Sequence, residues 1–180
     1  ADPEAILAAE AAILPGVGAF GDAMRQLRET GLDRTAIDYA RSGRPMLGIC
    51  LGMQLLFTES EEHGLHSGLN LLPGRVVRFR GDFKVPHMGW NRLYPVGAHS
   101  GGAEGPANRE AGSADRPERL LFEGVENGCA YFVHSYHVLA DRSEDVLATT
   151  DYCGPVTAVV GRGNLFGMQF HPEKSGADGI

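Results

Sequence analysis

Residues 45–56 read PMLGICLGMQLL, and this dodecapeptide constrains the chain more than any other stretch. The apolar run Pro45–Ile49 has the length of a buried strand, and LGMQLLFTESEE, from Leu51, carries the apolar spacing of a helix. Only Gly-x-Cys-x-Gly, Gly48–Gly52, is left to join them. A strand that enters a helix so abruptly forces its central residue into a strained backbone conformation, with the side chain projecting above the sheet edge. Glycines two places to either side relieve the crowding, because a β-carbon at Gly48 or Gly52 would collide with a neighbouring strand or helix. At the start of a helix, free N–H groups and the dipole favour a thiolate over a thiol. The pentapeptide therefore predicts Cys50 as an exposed, oriented nucleophile. The same five residues also suit a buried structural cysteine in an ordinary βα turn.

The rest of the first half keeps the same alternation. DPEAILAA reads as a short helix with Asp2 as cap and Pro3 at its first position, and Ala11–Leu14 as a buried strand that stops at Pro15. FGDAMRQLRETGL and DRTAIDYARSG carry helical spacing, with Gly31 and Gly43 as stops. Strands and helices in this order imply a parallel α/β sheet. In the second half GRVVRF, FKVP, YFVHSY, DVLATTD, VTAVV and LFGMQF are short strand candidates, expected to add partly antiparallel β-structure at the edge of the first sheet. Val96–Arg119, rich in Gly, Ala, Ser and charge, has little to bury and is expected to be a mobile surface insertion. At 180 residues the chain is expected to form a single domain, 1–180.

Composition removes several classes of function. A formal net charge of −7 opposes a nucleic-acid surface, which needs a basic stripe. No apolar stretch has the length of a membrane span. The three cysteines, Cys50, Cys129 and Cys153, lack CxxC spacing and fit a reducing cytoplasm better than a disulfide framework. The histidines His63, His66, His87, His99, His134 and His137 show neither HExxH nor Cys-rich spacing, so no metal site is expected.

A thiol nucleophile needs a proton acceptor. LFGMQFHPEKSG, Leu165–Gly176, supplies an imidazole and a carboxylate together. Its alternating bulky residues read as a strand ending at Pro172, which holds His171 extended. Residues two apart in an extended chain point the same way, so Glu173 is expected beside His171. A carboxylate there fixes one ring nitrogen as a donor and leaves the other free to take the thiol proton, the logic of a catalytic triad. HPE by itself describes a polar strand end equally well.

Together, GICLGMQ and GMQFHPE resemble the class I (triad) glutamine amidotransferases, and the likeness runs from Asp2 to about Ser175, interrupted by Val96–Arg119. The resemblance implies an α/β fold of flavodoxin-like type: a largely parallel open sheet, flanking helices and an antiparallel β-rich second half. It implies that Cys50 is the nucleophile, His171 the general base and acid, and Glu173 the orienting carboxylate. The substrate would be L-glutamine, hydrolysed to glutamate and ammonia through a thioester without any cofactor. Oxyanion donors would come from the Leu51 backbone and from Gly16 and Val17 of PGVG, a segment that also suits a plain strand-to-helix turn. Gln54, Glu62, Ser135 and Tyr136 would meet the substrate.

Ammonia freed into water would be protonated and lost, so the resemblance also implies a docked partner. ILPGVGAFGDAM, PHMGWN and YFVHSYH narrow the likeness to members that pair with a (β/α)8-barrel cyclase subunit as a heterodimer. Trp90, Asn91, Tyr131 and Lys174 would face that partner. Two departures accompany the likeness. Members of the family begin with a strand, a helix and a second strand, about thirty residues, before the DPE segment, and they continue into a closing helix after the HPE segment. The chain is therefore expected to be incomplete at both ends, with an apolar sheet edge left unpaired. Two other readings remain open: a glutaminase of the same class feeding a different synthase, and a catalytically silent binding subunit.

Overall fold

In the computed structural model, which describes residues 2–96 and 128–176, β1 (Ala12–Gly16) and β2 (Met46–Cys50) pair in parallel with Gly16 opposite Cys50. The crossover between them holds α2 (Phe20–Thr30) and α3 (Leu32–Arg41), separated by Gly31 alone at φ 73°. A left-handed residue closes one helix and admits the next without the penalty a β-carbon would bring. Before β1, α1 (Pro3–Ala8) is capped as expected, the Asp2 carboxylate accepting the Glu4 N–H at 3.1 Å. β1 does not stop at Pro15 but continues to Gly16. Among the described residues it is the outermost strand of its sheet, where a ring nitrogen without a proton is tolerated.

The helix expected after the elbow is cut short. α4 spans Leu51–Leu55 only, and β3 (Phe57–Ser60) follows. Phe57 is fully buried there, and the strand pairs with β5 (Leu72–Arg78), which outweighs one more helical turn. The remaining strands are β4 (His66–Ser67), β6 (His87–Arg92), β7 (Tyr94–Pro95), β8 (Cys129–His134), β9 (Tyr136–Ala140), β10 (Val146–Asp151), β11 (Pro155–Arg162) and β12 (Leu165–Met168). FKVP forms no strand; it bends into a cis Val85–Pro86 bond, and β6 starts at the next residue. YFVHSY is two strands broken at Ser135, and the LFGMQF strand ends at Met168.

These strands form a six-stranded sheet in the order β1-β2-β12-β11-β10-β7, a four-stranded sheet β4-β3-β5-β9, and a ribbon β6-β8. In the largest, β1, β2 and β12 are parallel, and β11, β10 and β7 extend the sheet antiparallel from β12. The expected combination of a parallel α/β half and an antiparallel β-rich half is therefore present in one sheet. Phe20, Met24 and Tyr39 from α2 and α3 pack with Met46, Met53, Phe57, Leu72 and Val76 between the two larger sheets. A second cluster, including Phe132, Ala158, Val159 and Phe170, binds the ribbon to β10, β11 and the segment after β12. Each large apolar side chain so buried contributes about 1.5–3 kcal/mol.

No helix among the described residues is long and apolar enough to cross a membrane. Beyond Val96, the insertion expected at Val96–Arg119 lies outside the described residues, as does His99.

Candidate active site

β2 and β12 run parallel with Ile49 opposite Met168, so Cys50 and Gln169 emerge side by side at the carboxyl ends of the two strands. Cys50 has φ 53° and ψ −112°, the strained turn that the strand–helix junction demands. The flanking glycines are required by space. A β-carbon on Gly48 would lie 2.7 Å from the Gly52 carbonyl oxygen, and one on Gly52 would lie 1.8 Å from the Leu14 carbonyl oxygen of β1.

The elbow does not expose its thiol as the sequence suggested. Every residue of α4 is buried, and Cys50 is only 8% exposed. Burial pushes the thiol above its ordinary value, against the Leu51 backbone N–H and the Gln169 amide, which pull it down. The thiolate preference expected from the helix start is therefore outweighed by desolvation. Gln169, itself fully buried, points its Nε2 at the sulfur at 3.8 Å.

His171 follows two residues after Gln169, with an extended backbone at φ −102° and ψ 99°. Its N–H donates to the Tyr131 carbonyl at 3.0 Å. Its own carbonyl accepts the Ser175 hydroxyl at 2.6 Å. The His171 backbone is thereby tied to the ribbon, and the residue is buried, at 8% exposure. Its Nδ1 lies 2.9 Å from a carboxylate oxygen of Glu173. The expected pair is present, but an extended strand does not make it. Pro172 starts a 3-10 turn, Pro172–Lys174, and the turn brings the carboxylate back to the imidazole. Burial raises the Glu173 carboxyl, but its own backbone N–H and the His171 imidazole outweigh this and hold it below the usual carboxylate value. A carboxylate acceptor at Nδ1 keeps the proton there and leaves Nε2 with a lone pair. Among the described residues no hydrogen bond joins the Cys50 sulfur to His171; in sites without substrate such contacts are commonly long and tighten on binding.

The other residues singled out from the sequence are distributed as follows. Gly16 sits opposite Cys50 on β1, and Val17, just beyond, is 82% exposed. Gln54 is buried, and its Nε2 donates to both the Tyr136 carbonyl at 3.1 Å and Gln169 Oε1 at 3.0 Å. Glu62 accepts the Phe20 N–H at 2.6 Å, capping α2, whose N-cap Ala19 offers no side chain for the purpose. The Ser135 carbonyl accepts the Phe79 N–H at 3.1 Å. Trp90 is 55% exposed and meets Tyr131 edge-on across the ribbon, with centroids 6.0 Å apart. Lys174 is exposed. Asn91 turns inward instead, its Oδ1 3.1 Å from His87 Nε2 and its Nδ2 donating to the Asp151 carbonyl at 2.7 Å.

Sequence reasoning missed two features. One is Gln169, whose only signal was an amide in an otherwise apolar strand. The other is the cross-strand pair His87–His134, with Nδ1 and Nε2 3.1 Å apart. His134 Nδ1 donates to the Tyr136 carbonyl at 2.8 Å, and His87 stacks on Tyr152 at 4.0 Å. Burial drives His134 down to about 3 against the pull of the Tyr136 carbonyl, and burial also lowers His87.

The model of the family "Glutamine amidotransferase class-I" matches residues 3–179. The chain is 51% identical to "Imidazole glycerol phosphate synthase subunit HisH" of Geobacillus sp. (strain WCH70), over 99% of this chain and 78% of that protein. It is 48% identical to the protein of the same name from Bacillus subtilis (strain 168), over 99% and 77%. Among solved structures, a glutamine amidotransferase superposes with a TM-score of 0.65 at 19% identity, over 98% of this chain and 78% of the other. The glutaminase domain of Trypanosoma brucei CTPS with bound acivicin gives 0.59 at 19% identity, over 95% and 66%. At that identity the structural likeness speaks for the fold.

Proposed function

The chain belongs to the class-I glutamine amidotransferases, and from that premise we propose that it is the glutaminase subunit of an imidazole glycerol phosphate synthase. It hydrolyses L-glutamine to glutamate and ammonia, in a single amidotransferase domain. The observation that carries this reading is the delivery of a strained, glycine-flanked cysteine and a carboxylate-paired histidine to the ends of two adjacent parallel strands.

In the proposed reaction His171 Nε2 takes the Cys50 proton as the sulfur attacks the carboxamide carbon. The carbonyl oxygen becomes an oxyanion, stabilised by backbone N–H donors of Leu51 and of the Gly16–Val17 segment. His171, now protonated, gives its proton to the departing nitrogen. Ammonia leaves, and the acyl group remains on sulfur as a thioester. Water, deprotonated by His171, attacks that thioester, and glutamate departs as the thiol is restored. Glu173 holds the imidazole in the required tautomer throughout. Glu62 meets the substrate ammonium, Gln54 lines the pocket, and Ser135 and Tyr136 meet the carboxylate through their backbone.

Partnership follows from the chemistry of the product, which must not reach bulk water. The proposed partner is a (β/α)8-barrel cyclase subunit that uses the ammonia to form imidazole glycerol phosphate and aminoimidazole carboxamide ribotide, a step of histidine biosynthesis. Trp90, which meets the half-buried Tyr131 edge-on, and the exposed Lys174, three residues after His171, are assigned with Tyr131 to that interface. Asn91, turned inward, acts there through the backbone of β6.

Glutamate release is the direct test, measured with and without the cyclase subunit and its nucleotide. Hydrolysis should rise when both are added and vanish in Cys50→Ala. Glutamine hydrolysis that survives Cys50→Ala would overturn the reading.

A further inference from the structure

We propose that Gln169 is a positioning residue for the thiol: its side-chain amide aims an N–H at Cys50 Sγ, fixing the sulfur's direction and favouring the thiolate over the thiol. The proposal rests on Cys50 being the nucleophile.

The polarity of this contact is set by a group that cannot turn round. A backbone carbonyl only accepts, and the Tyr136 carbonyl faces Gln54 at 3.1 Å, so the Gln54 terminus there is the donor Nε2. The same Nε2 has a second hydrogen, which goes to Gln169 at 3.0 Å, so the Gln169 atom receiving it is Oε1. With its oxygen committed to Gln54, Gln169 has only its NH2 left to offer the sulfur, at 3.8 Å. Side-chain amides are usually ambiguous by 180°; here the chain of bonds from Tyr136 removes the ambiguity.

A donor held at a sulfur distinguishes its two protonation states. A thiol is a weak acceptor, whereas a thiolate accepts a charge-assisted bond. Gln169 is fully buried, its backbone N–H is tied to the Ala158 carbonyl at 2.8 Å, and its amide oxygen is held by Gln54, so the side-chain amide keeps its direction. Burial raises the Cys50 thiol, and the Gln169 amide is one of the groups that opposes this rise. Preorganised donors of this kind are most effective where water is excluded. The amide therefore offsets part of the desolvation that the buried elbow imposes.

The contact also connects the thiol to the segment assigned to the substrate carboxylate. Sulfur, Gln169, Gln54 and the Tyr136 carbonyl are joined in sequence, and His134 Nδ1 donates to the same carbonyl at 2.8 Å. Removing Gln169 thus releases the sulfur and leaves one Gln54 N–H without its partner.

The test is the pH profile of Cys50 alkylation by iodoacetamide, read peptide by peptide by mass spectrometry on the full chain. The exposed Cys129 and Cys153 serve as internal references. In Gln169→Met the Cys50 midpoint should move up by about one pH unit, so that below the midpoint the rate falls about tenfold. Gln169→Glu, nearly identical in shape, should move it further, because a carboxylate replaces the donor. In complex with the cyclase, both variants should lose kcat at least tenfold at neutral pH with little change in KM, and the loss should shrink as pH rises. Equal midpoints in wild type and in both variants, with circular dichroism unchanged, would overturn the proposal while leaving Cys50 as nucleophile. Retention of glutaminase activity in Cys50→Ala would instead overturn the reading beneath it.

Discussion

Gly52 rests on Leu14: a β-carbon at residue 52 would stand 1.8 Å from the Leu14 carbonyl oxygen, with only backbone on the other side of the clash. The obstacle is a main-chain atom of β1, so no rotamer change relieves it. Gly52→Ala must push β1 away from the elbow or straighten Cys50. The expected cost is about 3 kcal/mol, at the upper end for overpacking, which in a chain of this size lowers Tm by about 2–4 °C per kcal/mol. Gly18→Ala provides the contrast: φ is +90° there but nothing lies within 4 Å of the new atom, so the cost is limited to roughly 1 kcal/mol of backbone strain. Thermal unfolding of the two variants checks the ranking, and a Gly52→Ala chain as stable as Gly18→Ala would contradict the packing described.

Glu173 holds His171 Nδ1 at 2.9 Å while its own side chain is 60% exposed. Water can therefore replace part of what the carboxylate does, which it could not in a sealed triad. Glu173→Gln is expected to lower glutaminase kcat by about 10–100-fold, below the upper range seen when an orienting acid is lost. KM and Tm should change little. Steady-state kinetics in the cyclase complex provide the check. A loss as complete as that of Cys50→Ala would mean that the carboxylate does more than orient the ring.

The elbow was legible in the sequence because its constraint is local. Gly48 and Gly52 flank one sharp turn centred on Cys50, and a fold that contains this turn needs glycine at both flanks. HPE was legible for the same reason, although the route from His171 to Glu173 is a 3-10 turn rather than a strand. What could not be read was set by contacts distant along the chain. The burial of Cys50 depends on how α4 packs, and α4 ends at Leu55 because Phe57 finds a place in a sheet completed by residues some eighty positions later. Gln169 and the His87–His134 pair depend on register between strands, which hydrophobic patterning does not specify for polar residues.

Acid should destabilise the fold before its carboxylates titrate. His134 is driven down to about 3 by burial, and His87 and His137 are lowered too, chiefly by burial. In the unfolded chain these rings take up protons near 6.5. Above that pH neither state binds the proton and stability is flat. Below it the unfolded state binds protons that the folded His134 refuses until about pH 3, so stability falls by about 1.4 kcal/mol per pH unit for this residue alone. The groups facing the cluster do not reverse this: His171 adds to the lowering at His134, and Glu61 only partly offsets burial at His137. The carboxyls of Glu61, Glu144 and Glu173, held below their ordinary value, act only at lower pH. Urea unfolding at pH 7.0, 6.0 and 5.0 should show a falling midpoint across that range. A midpoint constant from pH 7 to 5 would mean that these rings are protonated in the folded chain.

Trp90 and Asn91 are neighbours in sequence but face opposite ways, which lets association be separated from folding. Trp90 is 55% exposed, and its described ring contact is Tyr131 at 6.0 Å. Removing it costs the fold about 0.5–1.5 kcal/mol, the worth of an aromatic pair. At an interface a large aromatic side chain is instead a common anchor, and its loss weakens binding by 2 kcal/mol or more, roughly thirtyfold. Trp90→Ala should therefore leave Tm within a few degrees of wild type while weakening the cyclase complex and uncoupling ammonia transfer from glutamine hydrolysis. Asn91 bonds inward to His87 and to the Asp151 carbonyl. Asn91→Ala should lower stability by about 1–3 kcal/mol, because it leaves a ring nitrogen of the fully buried His87 without its partner. Titration of the cyclase subunit, together with coupled synthesis and thermal melts, distinguishes the two. Unchanged coupled synthesis in Trp90→Ala would remove this face of the ribbon from the interface.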